Sequence, residues 1–146
     1  MQHYEGDTVS AFKRTLVGLA VAAALGASAV QAQISDNVIK IGVLSDMSSL
    51  YADLDGAGSV AAAQMAVEDF GAAAKGMKVE IISADHQNKP DVASSVARQW
   101  FDVDKVDMIT GTTNSGVALA VSQVTKDKGK AFIVSGAASS DLTGKA

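Results

Sequence analysis

The sequence predicts an α/β fold: a parallel sheet with helices on both faces. Three observations carry this. Beyond residue 32, four short β-rich runs alternate with three helical patterns. The runs are near-continuously apolar, as strands covered on both faces are. The helical patterns carry start or stop residues at their ends, so the elements are punctuated as well as periodic.

The first run, VIKIGVL (38–44), leads to the Ala-rich SVAAAQMAVEDFG (59–71). In that helix Val60, Ala63, Val67 and Phe70 share a face, Ser59 is placed as N-cap, and Gly71 stands where a C-terminal glycine belongs. The second run is MKVEIISA (77–84). A helix from about Pro90 follows, with Val92, Val96 and Trp100 at four-residue spacing, and proline suits a first helical turn. VDMIT (106–110) is the third run and feeds GTTNSGVALAV (111–121). There Val117, Ala120, Val121 and Val124 form one stripe, and Lys126 and Lys128 complement the C-terminal dipole before Gly129. AFIVS (131–135) is the fourth run, followed by GAASSDLTGKA (136–146).

Composition narrows the function. Of 146 residues 48% are hydrophobic and 19% charged, with a formal net charge of −4, which fits a globular chain. Lys13 and Arg14 precede TLVGLAVAAALGASAVQA (15–32), a short apolar core with Val30 and Ala32 at the −3 and −1 positions of a cleavage site. The expectation is a secretory signal peptide over 1–32, cleaved after Ala32, and a periplasmic protein. A membrane anchor fits less well, because a span needs about 20 apolar residues. Glu5 and Asp7 are unusual ahead of such a core, which suggests a true start further in. Residues 33–146 then form one small domain. That part carries ten basic and fourteen acidic side chains without a basic cluster, so nucleic acid and anionic lipid are poor partners. The absence of cysteine excludes disulfides, thiolate metal sites and a cysteine nucleophile.

In a parallel sheet ligands bind beyond the carboxyl ends of the strands. The loops there are SDMSSLYADLDGAG (45–58), DHQNKP (85–90), GTTNSG (111–116) and SGAASSDLTG (135–144). Ser, Thr and Asn before a helix are ordinary caps, but the same hydroxyl chemistry recurs after the third and fourth strands, and one cap per helix suffices. The surplus suits a rim in which helix-start N–H groups and hydroxyls hold a carboxylate without a cation. GAGSVA matches a dinucleotide fingerprint in Gly56, Gly58 and Ala61, with Asp85 beyond. Its glycines nevertheless stand far from the first strand, where the tight turn is needed. His86 with Asp85 and Ser139 lacks a nucleophile elbow, and a lone loop histidine is usually solvated or a turn residue. DHQN alone offers too few ligands for a metal. Asp53 and Asp55 have the charge to meet an ammonium group, although acids in a surface loop are more often solvated. Tyr51 is placed either to stack on a ligand or to pack over the sheet edge.

Taken together, IKIGVLSDMSSLYADLDGAGSVAAAQMAVEDFG, ISADHQNKPDVASSVARQWFD, NSGVALAV and SGAASSDLTGKA resemble the periplasmic substrate-binding proteins of branched-chain-amino-acid-type ABC importers, and also binders of aromatic and other small carboxylates. The resemblance implies a type I binding-protein fold, two α/β lobes closing on a ligand, of which this chain covers the N-terminal lobe in part. It implies that backbone N–H and hydroxyl groups at Asn114, Ser115 and Gly116, and at Ala137, Ala138 and Ser139, hold the ligand's carboxylate. Ser48, Tyr51 and Leu54 would flank its side chain. The implied partners are an amino-acid or carboxylate ligand and the importer's permease and ATPase, with no cofactor, no metal and no nucleic acid. A truncated fragment, weakly binding or non-functional, is the expectation. The alternatives are an NAD-dependent or hydrolytic enzyme of Rossmann-like fold, and a structural or interaction fragment without ligand.

Overall fold

The computed structural model describes residues 37–145, and the expected signal peptide and its cleavage point lie outside the described residues. Within them the chain runs β1 (Val38–Ser45), α1 (Gly56–Phe70), β2 (Lys78–Asp85), α2 (Pro90–Asp102), β3 (Met108–Gly111), α3 (Ser115–Lys128), β4 (Ala131–Val134) and α4 (Asp141–Gly144), with a 3-10 turn at Ala73–Lys75. The strands form one parallel sheet in the order β2-β1-β3-β4. The chain steps from β1 to one side, then crosses back over β1 to reach β3 and β4. Right-handed crossovers therefore put α1 on one face and α2 with α3 on the other. The expected layers are those found.

The face under α2 and α3 holds the core. Leu44, Ala93, Ala97, Trp100, Phe101, Val106, Ile109, Val117, Val121 and Val124 pack as one buried cluster. The expected α2 stripe of Val92, Val96 and Trp100 is rotated by one residue: Ala93, Ala97, Trp100 and Phe101 are buried, whereas Val92 and Val96 are half-buried. Small side chains at 93 and 97 let the helix approach closely, so alanines occupy the innermost line. Trp100 reaches the strand where Gly42 has no side chain; a Cβ there would lie 2.3 Å from Trp100 Cζ3.

The α1 face is thinner. Of α1 only Gly56 is fully buried, and Phe70 is half exposed. Ala63, Val67 and Phe70 do face the sheet as the periodicity predicts. They line an apolar groove of about 450 Å³ over Ile39, Ile41 and Ile81. The helix starts earlier than expected. Its N-cap is Asp55, and Ser59 lies one turn inside, donating its hydroxyl to Asp55 Oδ1 at 2.7 Å. The C-terminal glycines behave as predicted, with Gly71 at φ +66° and Gly129 at φ +61°, each accepting the left-handed turn that ends a helix.

Candidate functional site

The register sets the strand ends nearly level. Ser45 pairs with Asp85, Leu44 with Gly111, and Gly111 with Val134, so all four following loops leave the sheet at one edge. β1 lies between β2 and β3, and the connections after β1 and β3 diverge to opposite faces. This is the topological switch point at which open α/β sheets bind ligands.

The long loop between β1 and α1 is folded by carboxylates. Asp46 is fully buried and accepts from Ser49 N–H (2.9 Å), Ser49 Oγ (2.6 Å) and Tyr51 N–H (2.9 Å). Asp85, at the end of β2, accepts from Met47 N–H (3.0 Å), Ser48 Oγ (2.5 Å) and Gln87 N–H (2.7 Å). Asp55 is buried and accepts from the hydroxyls of Ser59 and, at 3.4 Å, Ser45. It is therefore a structural anchor, whereas Asp53 is exposed. Of the expected ligand residues here, Ser48 has its hydroxyl engaged by Asp85 and Tyr51 is half-buried. Leu54 is 78% exposed and Leu50, which the sequence reading passed over, 76%. The loop thus presents two aliphatic side chains at its rim.

After β3 the backbone bends sharply. Gly111 adopts φ +110°, and a Cβ there would lie 2.7 Å from Leu44 O. Thr112 follows at φ +69°, buried, with its N–H donating to Leu44 O at 3.1 Å. Asn114 caps α3: its Oδ1 accepts from Val117 N–H at 3.1 Å, and its Nδ2 donates to Asn88 Oδ1 at 2.7 Å. Both ends of its amide are thereby engaged within the fold. The N–H groups of Ser115 and Gly116 remain, and among the described residues neither meets a protein acceptor. They are the orphan donors of a helix start.

The β4 loop leans on this one, for a Cβ at Gly136 would come 3.0 Å from Thr113 Oγ1. Beyond it Ala137 is half-buried and Ala138 exposed. Ser139 Oγ accepts from Asp141 N–H at 3.3 Å, at the start of the short α4. The ordinary capping role thus accounts for Asn114, and a local turn bond for Ser139, one residue before the α4 N-cap Ser140. The residues at 113–116 and 136 come together in space. Ser48 instead belongs to the network that ties the β1 loop to Asp85.

The family model for periplasmic binding proteins matches residues 38–146. The chain belongs to the periplasmic binding protein family. Among solved structures, it is 51% identical to a branched-chain amino-acid ABC transporter periplasmic ligand-binding protein from Burkholderia xenovorans, with a TM-score of 0.67 over 71% of this chain and 28% of that one. The branched-chain amino-acid transporter substrate-binding protein of Streptococcus pneumoniae, solved with isoleucine, is 28% identical, with a TM-score of 0.66 over 73% of this chain and 31% of that one. A solute-binding protein from Rhodopseudomonas palustris, solved with benzoate, is 26% identical, with a TM-score of 0.66 over 73% of this chain and 29% of that one. The chain thus spans under a third of the length of these structures. No curated protein matches it.

The chain also carries a polar centre at the histidine expected to be a solvated or turn residue. His86 is fully buried. Its backbone N–H donates to Ser45 O at 2.9 Å, and its Nδ1 accepts from Asn88 N–H at 3.0 Å. Asp85 turns its carboxylate to other donors, so no Asp85–His86–Ser139 relay is assembled. Gly56 and Gly58 lie inside α1 and form no turn after β1. No motif marks this centre; the one available signal was a histidine directly following a strand.

Three groups here titrate away from their ordinary values. Burial raises Asp46 and Asp85, but the hydrogen bonds from Ser49, Ser48 and their neighbouring N–H groups outweigh it, and both end below 3.8. Burial lowers His86 below 6.5, against the pull of Asp46, Asp55 and Asp85. In each case the unfolded chain binds protons more readily than the folded one, so stability rises with pH wherever that difference operates. The urea midpoint is expected to fall as pH drops below 6.5, where unfolded histidine charges, and again below 3.8, where unfolded carboxylates protonate. A midpoint that rises between pH 7 and pH 5 would contradict this.

Proposed function

We propose that this lobe belongs to a solute receptor of an ABC importer. It takes a small carboxylate, a branched-chain amino acid or an aromatic acid, at the start of α3, and performs no covalent chemistry. The observation that carries the reading is the pair of N–H groups at Ser115 and Gly116, unpartnered among the described residues, beside Thr113 and the β4 loop. Orphan donors at a helix start, aided by the dipole, favour an anion. Isoleucine and benzoate, found in two relatives, share only a carboxylate and an apolar body. Leu50 and Leu54 offer apolar surface for that body.

Signal-peptide cleavage after Ala32, periplasmic residence and coupling to a membrane permease and ATPase complete the proposal. Residues 33–146 are read as part of the N-terminal lobe. Ser48, Tyr51, Leu54, Asn114, Ala137, Ala138 and Ser139 stay as proposed neighbours of the ligand, Asn114 through its role as cap. The enzyme reading has less support, because Asp85, His86 and Ser139 each bond elsewhere.

Binding clefts bury about 70–90% of a small ligand, and one lobe supplies one wall. Halving the roughly 8 kcal/mol of a micromolar site leaves about 4 kcal/mol, a dissociation constant on the order of millimolar. Titration calorimetry of this chain with isoleucine and benzoate is expected to give that strength. Micromolar binding would overturn the two-wall argument, and no binding at tens of millimolar would overturn the proposal itself.

A further inference from the structure

His86 stands outside the ligand rim, yet a continuous run of hydrogen bonds joins it to the start of α3. Its Nδ1 accepts from Asn88 N–H (3.0 Å), Asn88 Oδ1 accepts from Asn114 Nδ2 (2.7 Å), and Asn114 Oδ1 accepts from Val117 N–H (3.1 Å). We propose that His86 is a positioning residue for the ligand site, holding Asn88 so that Asn88 in turn fixes which way the Asn114 amide points and thereby sets the α3 N-terminus. The proposal rests on the reading that Ser115 and Gly116 hold the carboxylate.

Each link has a physical reason. Gln87 and Asn88 both adopt left-handed backbone, at φ +52° and +58°. Non-glycine residues hold that conformation only where the surroundings determine it. Here Gln87 N–H donates to Asp85, Asn88 N–H to His86 Nδ1, and Lys89 N–H to His86 O at 2.9 Å. Among the described residues the imidazole is the one side chain bonded to Asn88 N–H, and it is fully buried. An asparagine cap has two amide orientations, and only the one with Oδ1 toward the helix accepts from Val117. Because Asn88 Oδ1 takes the Nδ2 of Asn114, the capping orientation is the one selected.

The relay also fixes the imidazole's protonation. An Nδ1 that accepts must carry no proton, so the neutral ring holds its hydrogen on Nε2. Nε2 is buried without a protein partner among the described residues. The charged groups acting on the ring are Asp46 in the loop after β1, Asp55 before α1, and Asp85 at the end of β2. The turn before α2 and the cap of α3 contribute the uncharged Asn88 and Asn114, and the ammonium of the adjoining Lys89 turns to Gln87 Oε1. Protonation at Nδ1 would set two donors against each other and release Asn88, so the relay is made in the neutral form and broken in the charged one.

The test needs no ligand for its first arm. Hydrogen exchange at the Val117 amide is compared with that at the core amides of Val43 and Leu44 in the wild-type chain, His86→Phe and His86→Asn. Phenylalanine removes the acceptor, whereas asparagine places an amide oxygen near the Nδ1 position. The expected result is that Val117 exchange speeds up about fivefold relative to the core in His86→Phe, in line with the loss of a helix cap, and is restored in His86→Asn. Equal acceleration of Val117 and the core, or no change at Val117, would overturn the relay. Should His86→Phe fail to fold, the wild-type ring nitrogens decide by NMR: an unprotonated Nδ1 at neutral pH supports the relay and a protonated Nδ1 overturns it. In the second arm benzoate is titrated, and its effect on the Ser115 and Gly116 amides is expected to weaken in His86→Phe and return in His86→Asn. An undiminished benzoate response in His86→Phe would overturn the positioning role. If the wild type ignores benzoate, the carboxylate reading fails and the positioning role falls with it, while the exchange data still report the relay as a structural feature.

Discussion

Gly42→Ala is expected to lower the stability of the fold by about 3 kcal/mol, the upper part of the range for overpacking a filled core. The added Cβ would lie 2.3 Å from Trp100 Cζ3 and 2.5 Å from Cε3, far inside contact distance. Neither partner yields easily. Gly42 sits in β1 between Ile82 of β2 and Ile109 of β3, so its backbone is held on both sides. Trp100 is buried in the cluster with Leu44, Ala97 and Phe101, where close packing resists its displacement. Against a domain stability of about 5–15 kcal/mol this is a large fraction, and it reads directly as a lowered urea midpoint. Trp100→Leu destabilises by itself, but combined with Gly42→Ala it should cost less than the sum, because the clash is shared. A midpoint for Gly42→Ala within error of the wild type would mean that α2 packs further from β1 than described.

Asp85→Ala is expected to cost about 2–4 kcal/mol and to loosen the long loop after β1. One carboxylate gathers Met47 N–H, Ser48 Oγ and Gln87 N–H, joining that loop to the turn after β2. Hydrogen bonds to charged groups contribute about 1.5–3 kcal/mol each, and stranded donors add a penalty unless water reaches them. The partly exposed setting tempers the sum. Gln87 also loses the bond that supports its left-handed backbone. Asp85→Asn keeps one acceptor oxygen and should fall between the two. The readouts are the urea midpoint and amide exchange at Met47. Loop amides that exchange no faster in Asp85→Ala than in the wild type would show that Asp46 alone holds the loop.

What the sequence made legible follows from where its signals were strong. Long apolar runs, Pro90 at a helix start, and Gly71 and Gly129 at helix ends each state a local backbone requirement, and the structure meets them. The α2 stripe slipped by one residue because Val92 and Val96 outweigh alanine on any hydrophobic scale, whereas close approach to the sheet and α3 selects Ala93 and Ala97. The proposed ligand edge rests on chemistry legible in the sequence: hydroxyls and small residues recurring at two strand ends. Which atoms remain open was not, because that depends on pairings between distant loops, such as Asn114 with Asn88 or Ser48 with Asp85. The same holds for burial of polar groups. Asp55 and His86 read as loop residues facing water until the fold covers them, and no periodicity announces a buried acid or imidazole.

The central claim is that the start of α3 recognises a carboxylate. The most direct measurement is a pair of NMR titrations of this chain, one with benzoate and one with benzamide, which match in shape and differ in charge. The expected result is a saturating change at the Ser115 and Gly116 amides with benzoate, at millimolar concentration, and little with benzamide. These two N–H groups meet no protein acceptor among the described residues, so a bound anion becomes their partner. Equal responses to both compounds, or a benzoate response confined to residues away from the α3 start, would contradict it.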